Sequence, residues 1–199
     1  MNTIYRNAAA VVLAAAVNLI LVSQTASAAA TIPPSESIYR ADVALRDAQS
    51  HSFRWDELRG RPRLVSMFYT SCSFVCPMLI DGVKAVLEAL PPDERVRLGV
   101  TLISLDPKRD TPAVLGKMQK DRDLDPAFWT LAQPNARDVR TIGALLGIRY
   151  RALANGDFNH TTVIVLLDDE GRVVARTDNI GRPVDPEFLA AIRKTLAAH

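Results

Sequence analysis

Two nearly continuous apolar runs of strand length, Arg63 to Tyr69 and Val96 to Leu105, each give way to a segment of helical spacing. A strand carrying Leu64, Val65, Met67 and Phe68 with so little polar interruption has to be covered on both faces. After the first run, Leu79, Val83, Val86, Leu87 and Leu90 recur at helical spacing until Pro91-Pro92 stops them. After the second, the loop Asp106 to Pro112 hands over to a helix bearing Val114, Leu115 and Met118, with Pro112 in its first turn and Thr111 as its cap. Phe128 to Leu131 reads as a short strand, and Asn135 opens a helix with Val139, Ile142, Leu145 and Leu146 that Gly147 ends. Thr161 to Leu167 and Arg172 to Arg176 flank the turn Asp168 to Gly171 as a hairpin. Asp185 and Pro186 cap a last helix with Phe188, Leu189, Ile192 and Leu196. Ahead of all these, Val43 to Asp47 and His51 to Phe53 suggest a small hairpin, followed by a turn at Trp55 to Leu58. The alternation predicts an α/β domain with a central mixed sheet and helices on both faces.

Its only cysteines, Cys72 and Cys76, lie where the first buried run enters its helix. That junction points to a thioredoxin-like fold, although the order of elements alone leaves flavodoxin-like arrangements open. A disulfide across so short a loop removes little unfolded-chain entropy, so the pair is poorly explained by stability. Two soft sulfurs at one turn instead suit either dithiol–disulfide exchange or a thiophilic metal. The helix mouth favours thiolate, through unpaired N–H groups and the helix dipole. With Pro77 at the first helical position, Cys76 is expected to be the cap and Cys72 to lie in the loop before it. The spacing accommodates a disulfide after local adjustment and a shared metal equally well.

The amino-terminal stretch has Arg6 as its only charge, an apolar run from Ala8 to Val22 and then small residues through Ala30. That order reads as a secretory signal peptide over residues 1–28, cleaved after Ala28, rather than as a permanent membrane anchor. Residues 29–40, with Pro33 and Pro34, are expected to be a flexible lead-in, and residues 41–199 the functional domain. About 170 residues remain after cleavage, enough for one domain with its own core. The expected setting is the oxidising bacterial periplasm, with the protein a monomer. A net charge of +2, with basic residues scattered rather than clustered, argues against a nucleic-acid partner.

Three histidines are present: His51 in the early hairpin, His199 at the end and His160 just before the late hairpin. In a thioredoxin-type sheet the loop leading into that hairpin packs on the cysteine loop, so His160 is the one able to meet both sulfurs. Two thiolates and an imidazole form a soft three-coordinate set suited to copper. A loop histidine bonded to its neighbours is the competing reading, and the residues alone leave both open. His51 reads as an exposed strand residue. Met67, Met78 and Met118 read as core rather than as a methionine metal site.

Tyr69 to Pro77, then Asp106 to Pro112, then His160 resemble in order the motifs of the SCO/SenC family of copper-binding thioredoxin-fold proteins. The resemblance covers about Tyr39 to the final helix. It implies that Cys72, Cys76 and His160 are ligands of a copper ion. It also implies delivery of copper to the binuclear site of the copper-bearing subunit of cytochrome c oxidase, or preparation of that site's thiols. Three features depart from the family pattern: Ser73 where proline is common, Asn159 where an acidic residue often precedes the histidine, and a cleavable leader in place of an anchor. The expected role is a metallochaperone rather than an enzyme. The alternative is a thiol–disulfide oxidoreductase in which Cys72 attacks first and reduces cysteines of a periplasmic partner. In both readings Asp106 and Asp110 serve as turn and cap residues.

Overall fold

The computed structural model describes residues 33–198, so the signal-peptide reading, the start of the lead-in and His199 lie outside the described residues. Ile38 and Tyr39, assigned by sequence to a flexible lead-in, are buried in a 3-10 turn at Ile38–Arg40. Ser37 ties that turn down, its side chain accepting from the Tyr39 N–H and its hydroxyl donating to the Glu170 carbonyl. Tyr39 meets Trp55 edge-on at 5.9 Å, and both rings are almost fully buried. The packed domain therefore begins before residue 41.

Strand β1 (Ala44–Asp47) and β2 (Ser52–Arg54) form the early hairpin. Its turn is held by the Asp47 carboxylate, which accepts from the Gln49 and His51 N–H groups. His51 is exposed beside Asp47. Strand β3 (Arg63–Phe68) and, further on, β4 (Gly99–Ser104) are the two continuous apolar runs, and every residue but Arg63 is buried. Between them lie helix α1 (Val75–Glu88) and the single turn α2 (Pro92–Arg95). The strand expected from Val96 starts at Gly99 because Pro92 both stops one helix and occupies the first turn of the next, where its missing N–H costs nothing.

Helix α3 (Pro112–Asp121) leads to β5 (Trp129–Pro134), longer than expected because β1 pairs antiparallel along Ala132–Pro134. Helix α4 (Asp138–Leu146) begins three residues after Asn135, whose carbonyl accepts from the Asp138 N–H in a preceding turn. Gly147 ends it in the left-handed region at φ 69°. The chain then makes a small separate hairpin, β6 (Tyr150–Ala152) and β7 (Phe158–His160), before β8 (Ile164–Leu167), β9 (Val173–Thr177) and α5 (Pro186–Ala197). Asp185 caps α5 as expected, accepting from the Glu187 and Phe188 N–H groups.

The main sheet runs β2-β1-β5-β4-β3-β8-β9. Pairs β3–β4 and β4–β5 are parallel, and the others are antiparallel. Successive parallel crossovers from β3 to β4 and β4 to β5 step in one direction, so right-handedness places α1 and α3 on one face; α4 lies on the return from β5 to the antiparallel β8. Arg122 of the α3 terminus donates to the Pro77 carbonyl, and Arg193 of α5 to the Ala89 carbonyl, which joins α3 and α5 to α1. The result is the mixed α/β, thioredoxin-like sheet with helices on both faces. Its consequence for function is that the carboxyl ends of the adjacent strands β3 and β4 feed the cysteine loop and the Asp106–Pro112 loop side by side. No helix among the described residues is long and apolar enough to cross a membrane.

Candidate metal centre

Two loops are locked together beneath the cysteines. Asp110, fully buried, accepts at both oxygens from the Thr70 N–H at 3.2 Å, from the Thr70 hydroxyl, and from the Ser104 hydroxyl at 2.6 Å. Ser104 in turn accepts from the Asp106 N–H, and the Asp110 N–H donates to the Asp106 carbonyl. Burial pushes the Asp110 carboxyl above its ordinary value, against the Ser104 and Thr70 donors that favour its charge. Turn formation alone does not describe this residue: a carboxylate in the core braces the first residue of the cysteine loop.

Helix α1 starts at Val75 with Phe74 in the cap position, so Cys76 lies inside the first turn instead of capping it. Pro77 is accommodated one position further in because the first turn has no intrahelical acceptors for its N–H groups. Phe74 supplies no side-chain cap. The Cys72 sulfur takes over that role, accepting from the Cys76 N–H at 3.3 Å, while the buried Cys76 sulfur accepts from the Tyr69 N–H at 3.5 Å. The two thiols are unbridged.

These surroundings drive the sulfurs apart. Burial works against Cys72 ionisation, but the Cys76 and Phe74 N–H groups, the Cys76 thiol and the Tyr69 hydroxyl outweigh it and hold Cys72 below the ordinary thiol range. Burial pushes Cys76 far up, reinforced by the Cys72 and Asp110 charges. At neutral pH, iodoacetamide is therefore expected to alkylate Cys72 and spare Cys76 until the chain is unfolded; equal labelling, read by mass spectrometry, contradicts this. Because the folded value of Cys76 lies above the unfolded value of about 8.5, the stability from keeping it protonated is full below that pH and is lost as pH rises past it. The Cys72 contribution has the opposite sign, present above about pH 8.5 and lost as pH falls through its lowered folded value.

His160 ends β7, paired with Tyr150 across the small hairpin. The hairpin rests on the cysteine loop through Tyr69, whose hydroxyl donates to the Phe158 carbonyl and accepts from the Phe158 N–H, both at 3.4 Å. The same hydroxyl and the Cys72 sulfur influence each other's ionisation, Tyr69 being pushed up as Cys72 is held down, and the Tyr69 ring meets the His160 ring edge-on at 5.9 Å. Arg109 makes a second tie, donating to the Gly156 carbonyl at the hairpin tip while paired with Asp106. Nδ1 of His160 lies 3.2 Å from the Thr161 carbonyl. Since a carbonyl only accepts, that contact puts the proton on Nδ1 and leaves Nε2 with a free lone pair. Burial lowers the His160 value and so favours the neutral, ligating form. Asp157 gives the imidazole no support, being bonded to Asn155.

The structure thus brings His160 to the edge of the cysteine loop, one aromatic ring away. Among the described residues, no three His, Cys, Asp or Glu side chains stand close enough to hold a metal ion in this arrangement. Met67 is buried in the core, whereas Met78, expected there, is 43% exposed one turn beyond Phe74. A recess of about 920 Å³ lined in part by Gln49, Lys117 and Asp125 contains no residue of the cysteine loop or the small hairpin. Sequence reasoning missed Tyr69 as the link and Asp110 as the brace. The proximity of Tyr69 to Cys72 in the chain was visible, but nothing local marked Asp110 as different from an ordinary turn aspartate.

Known proteins agree with this architecture. The chain is 29% identical over 138 residues to an SCO2-like protein of Rickettsia felis, a match spanning 66% of this chain and 65% of that protein's length. Among solved structures, Bradyrhizobium japonicum ScoI with copper bound superposes with a TM-score of 0.65 at 24% identity, covering 78% of this chain and 98% of the other. Yeast Sco1 with copper bound gives a TM-score of 0.65 at 21% identity, covering 80% and 88%. The SCO1/SenC family model matches residues 33–197, essentially all of the described domain. The chain belongs to the SCO1/SenC family.

Proposed function

We propose that this protein is a periplasmic copper metallochaperone that holds copper through Cys72, Cys76 and His160 and passes it to the binuclear copper site of cytochrome c oxidase. The observation that carries the reading is the paired sulfurs at the mouth of α1, one already biased to thiolate, with a neutral imidazole held one tyrosine away. Copper-bound relatives of the same fold support the choice of metal. A leader removed after export and a soluble monomeric domain complete the proposal.

Copper is cargo here, and the chain's task is to bind and release it. The Cys72 thiolate makes the first contact because it is the more exposed and more acidic sulfur. Cys76 follows with loss of its proton, so capture releases a proton and weakens at low pH. His160 then leaves the edge of Tyr69 and closes the set. Its hairpin is suited to that shift, having strands of three residues tied down mainly through Tyr69 and Arg109. Oxidation of the pair removes both sulfur donors, which gates loading by redox state.

One observation also favours thiol–disulfide exchange: an accessible, acidic Cys72 above a buried, protonated Cys76 is an attacking and resolving pair. The Cys72 thiolate would attack a partner disulfide and expel one partner thiolate. Cys76, on losing its proton, would then attack the Cys72 sulfur, leaving an intramolecular disulfide and a fully reduced partner.

Titration of the reduced chain with Cu(II) separates the two. The chaperone reading expects one equivalent to bind tightly with sulfur-to-copper charge-transfer absorption, and none to bind after oxidation. Loss of an outer-shell partner typically weakens metal binding about 10–100-fold, so loss of the ligand in His160→Ala is expected to cost at least about tenfold. Weak copper binding, together with disulfide reduction that ignores His160→Ala, overturns it in favour of exchange.

A further inference from the structure

The surface around Cys72 is not uniform. Phe74, two residues after Cys72, is 74% exposed, more than any other large apolar side chain among the described residues, and Met78 adds 43% exposure one turn on. Phe74 occupies the cap position of α1 without making a cap, so its ring does no work in the fold that its exposure would explain. An aromatic side chain left in water beside a reactive sulfur is the composition of a recognition surface.

The other border of the site carries charge. A shallow recess of about 300 Å³ is lined by Arg149, Tyr150, Arg151, Asn159, His160 and Thr161. The hairpin register pairs Tyr150 with His160 and Arg151 with Asn159, so Tyr150 and His160 share the face turned to Tyr69 while Arg151 and Asn159 lie on the other. Arg149 and Arg151 are exposed, and neither has an ion-pair partner among the described residues. Asp106 and Asp110 are buried and Asp106 is paired with Arg109, which leaves Asp157, hydrogen-bonded to the neutral Asn155, as the one carboxylate of the hairpin against these two arginines.

We infer that Phe74 and Met78, together with Arg149 and Arg151, form a docking surface for an acidic partner protein that presents its cysteines beside an apolar depression. Charge complementarity selects the partner: two unpaired guanidiniums on the face of the His160 hairpin turned away from Tyr69 favour carboxylates and speed encounter. Continuity with the sulfurs selects what the partner brings, since anything covering Phe74 also covers Cys72. The inference rests on the handover reading above, and it adds the chemistry of the acceptor's surface to it.

The test measures docking without copper. Binding of a fluorescent, reduced cysteine-pair peptide flanked by aspartates is compared with that of its asparagine counterpart, by anisotropy at low and high salt. The wild-type chain is expected to prefer the aspartate peptide, with the preference shrinking as salt screens it. R149E/R151E is expected to weaken the aspartate peptide by at least about tenfold and leave the asparagine peptide unchanged. Phe74→Ala weakens both. R149Q/R151Q, which keeps the bulk and removes only the charge, gives a smaller fall in the same direction and serves if the glutamates perturb the hairpin. Equal binding of the two peptides, binding of neither, or indifference to both arginine variants overturns the inference. So does salt-independent self-association of the chain that Phe74→Ala abolishes, which would assign the surface to a second copy. Copper titration of the same variants is read separately, so a chain that docks the peptide but takes no copper refutes the chaperone reading alone.

Discussion

Cys76→Ser is expected to lower copper affinity by at least about 10³-fold, or about 4 kcal/mol, while the fold survives. The substitution exchanges a soft sulfur for a hard hydroxyl that stays protonated at neutral pH, which removes a donor of the kind copper prefers. The site is buried and the Tyr69 N–H points at the sulfur, so the serine oxygen retains an acceptor role and the core keeps its volume. Cys72→Ser gives a complementary result. Serine is a favourable helix cap, and its oxygen can accept from the Cys76 N–H as the sulfur does. Copper retention is lost there too, whereas urea unfolding is expected to move little. A Cys76→Ser chain that binds copper as tightly as the parent shows that the second sulfur is not a ligand.

Asp110→Ala is expected to destabilise the chain by about 3 kcal/mol, because three donors directed at one buried carboxylate lose their acceptor together. Ser104 is fully buried and Thr70 partly so, and the loss falls most heavily on the Ser104 hydroxyl. The functional consequence travels along the chain: Thr70 is two residues from Cys72, so a loosened Thr70 frees the loop and speeds alkylation of Cys72. Asp110→Asn retains one acceptor and the side-chain shape, and is expected to recover roughly half of the loss. Urea unfolding and alkylation rates measure both effects. A change below about 0.5 kcal/mol in Asp110→Ala reduces Asp110 to the turn residue that sequence alone suggests.

The sheet centre was legible because β3 and β4 are covered on both faces, and burial on both faces writes itself into sequence as an uninterrupted apolar run. Helix ends were legible where chemistry is local, as at Thr111, Gly147 and Asp185. What escaped reading depends on partners distant in sequence. Strand β5 extends to Pro134 only because β1 lies against it. The β6–β7 hairpin has strands of three residues, too short for periodicity to show. The helix start at Val75 rather than at Pro77 turns on a cap supplied by a sulfur two residues before the usual cap position, which no local sequence pattern marks. Of the candidate site, the sulfurs and His160 were identifiable as chemistry, but the structure adds their ranking: Cys72 acidic, Cys76 buried, and His160 held in reserve against Tyr69.

The measurement closest to the central claim is X-ray absorption at the copper edge of the loaded, reduced protein. The account predicts sulfur scatterers at about 2.3 Å from both cysteines and an imidazole nitrogen at about 2.0 Å, the nitrogen signature disappearing in His160→Ala. A spectrum with sulfur alone that His160→Ala leaves unchanged, or one with only nitrogen and oxygen neighbours, contradicts it.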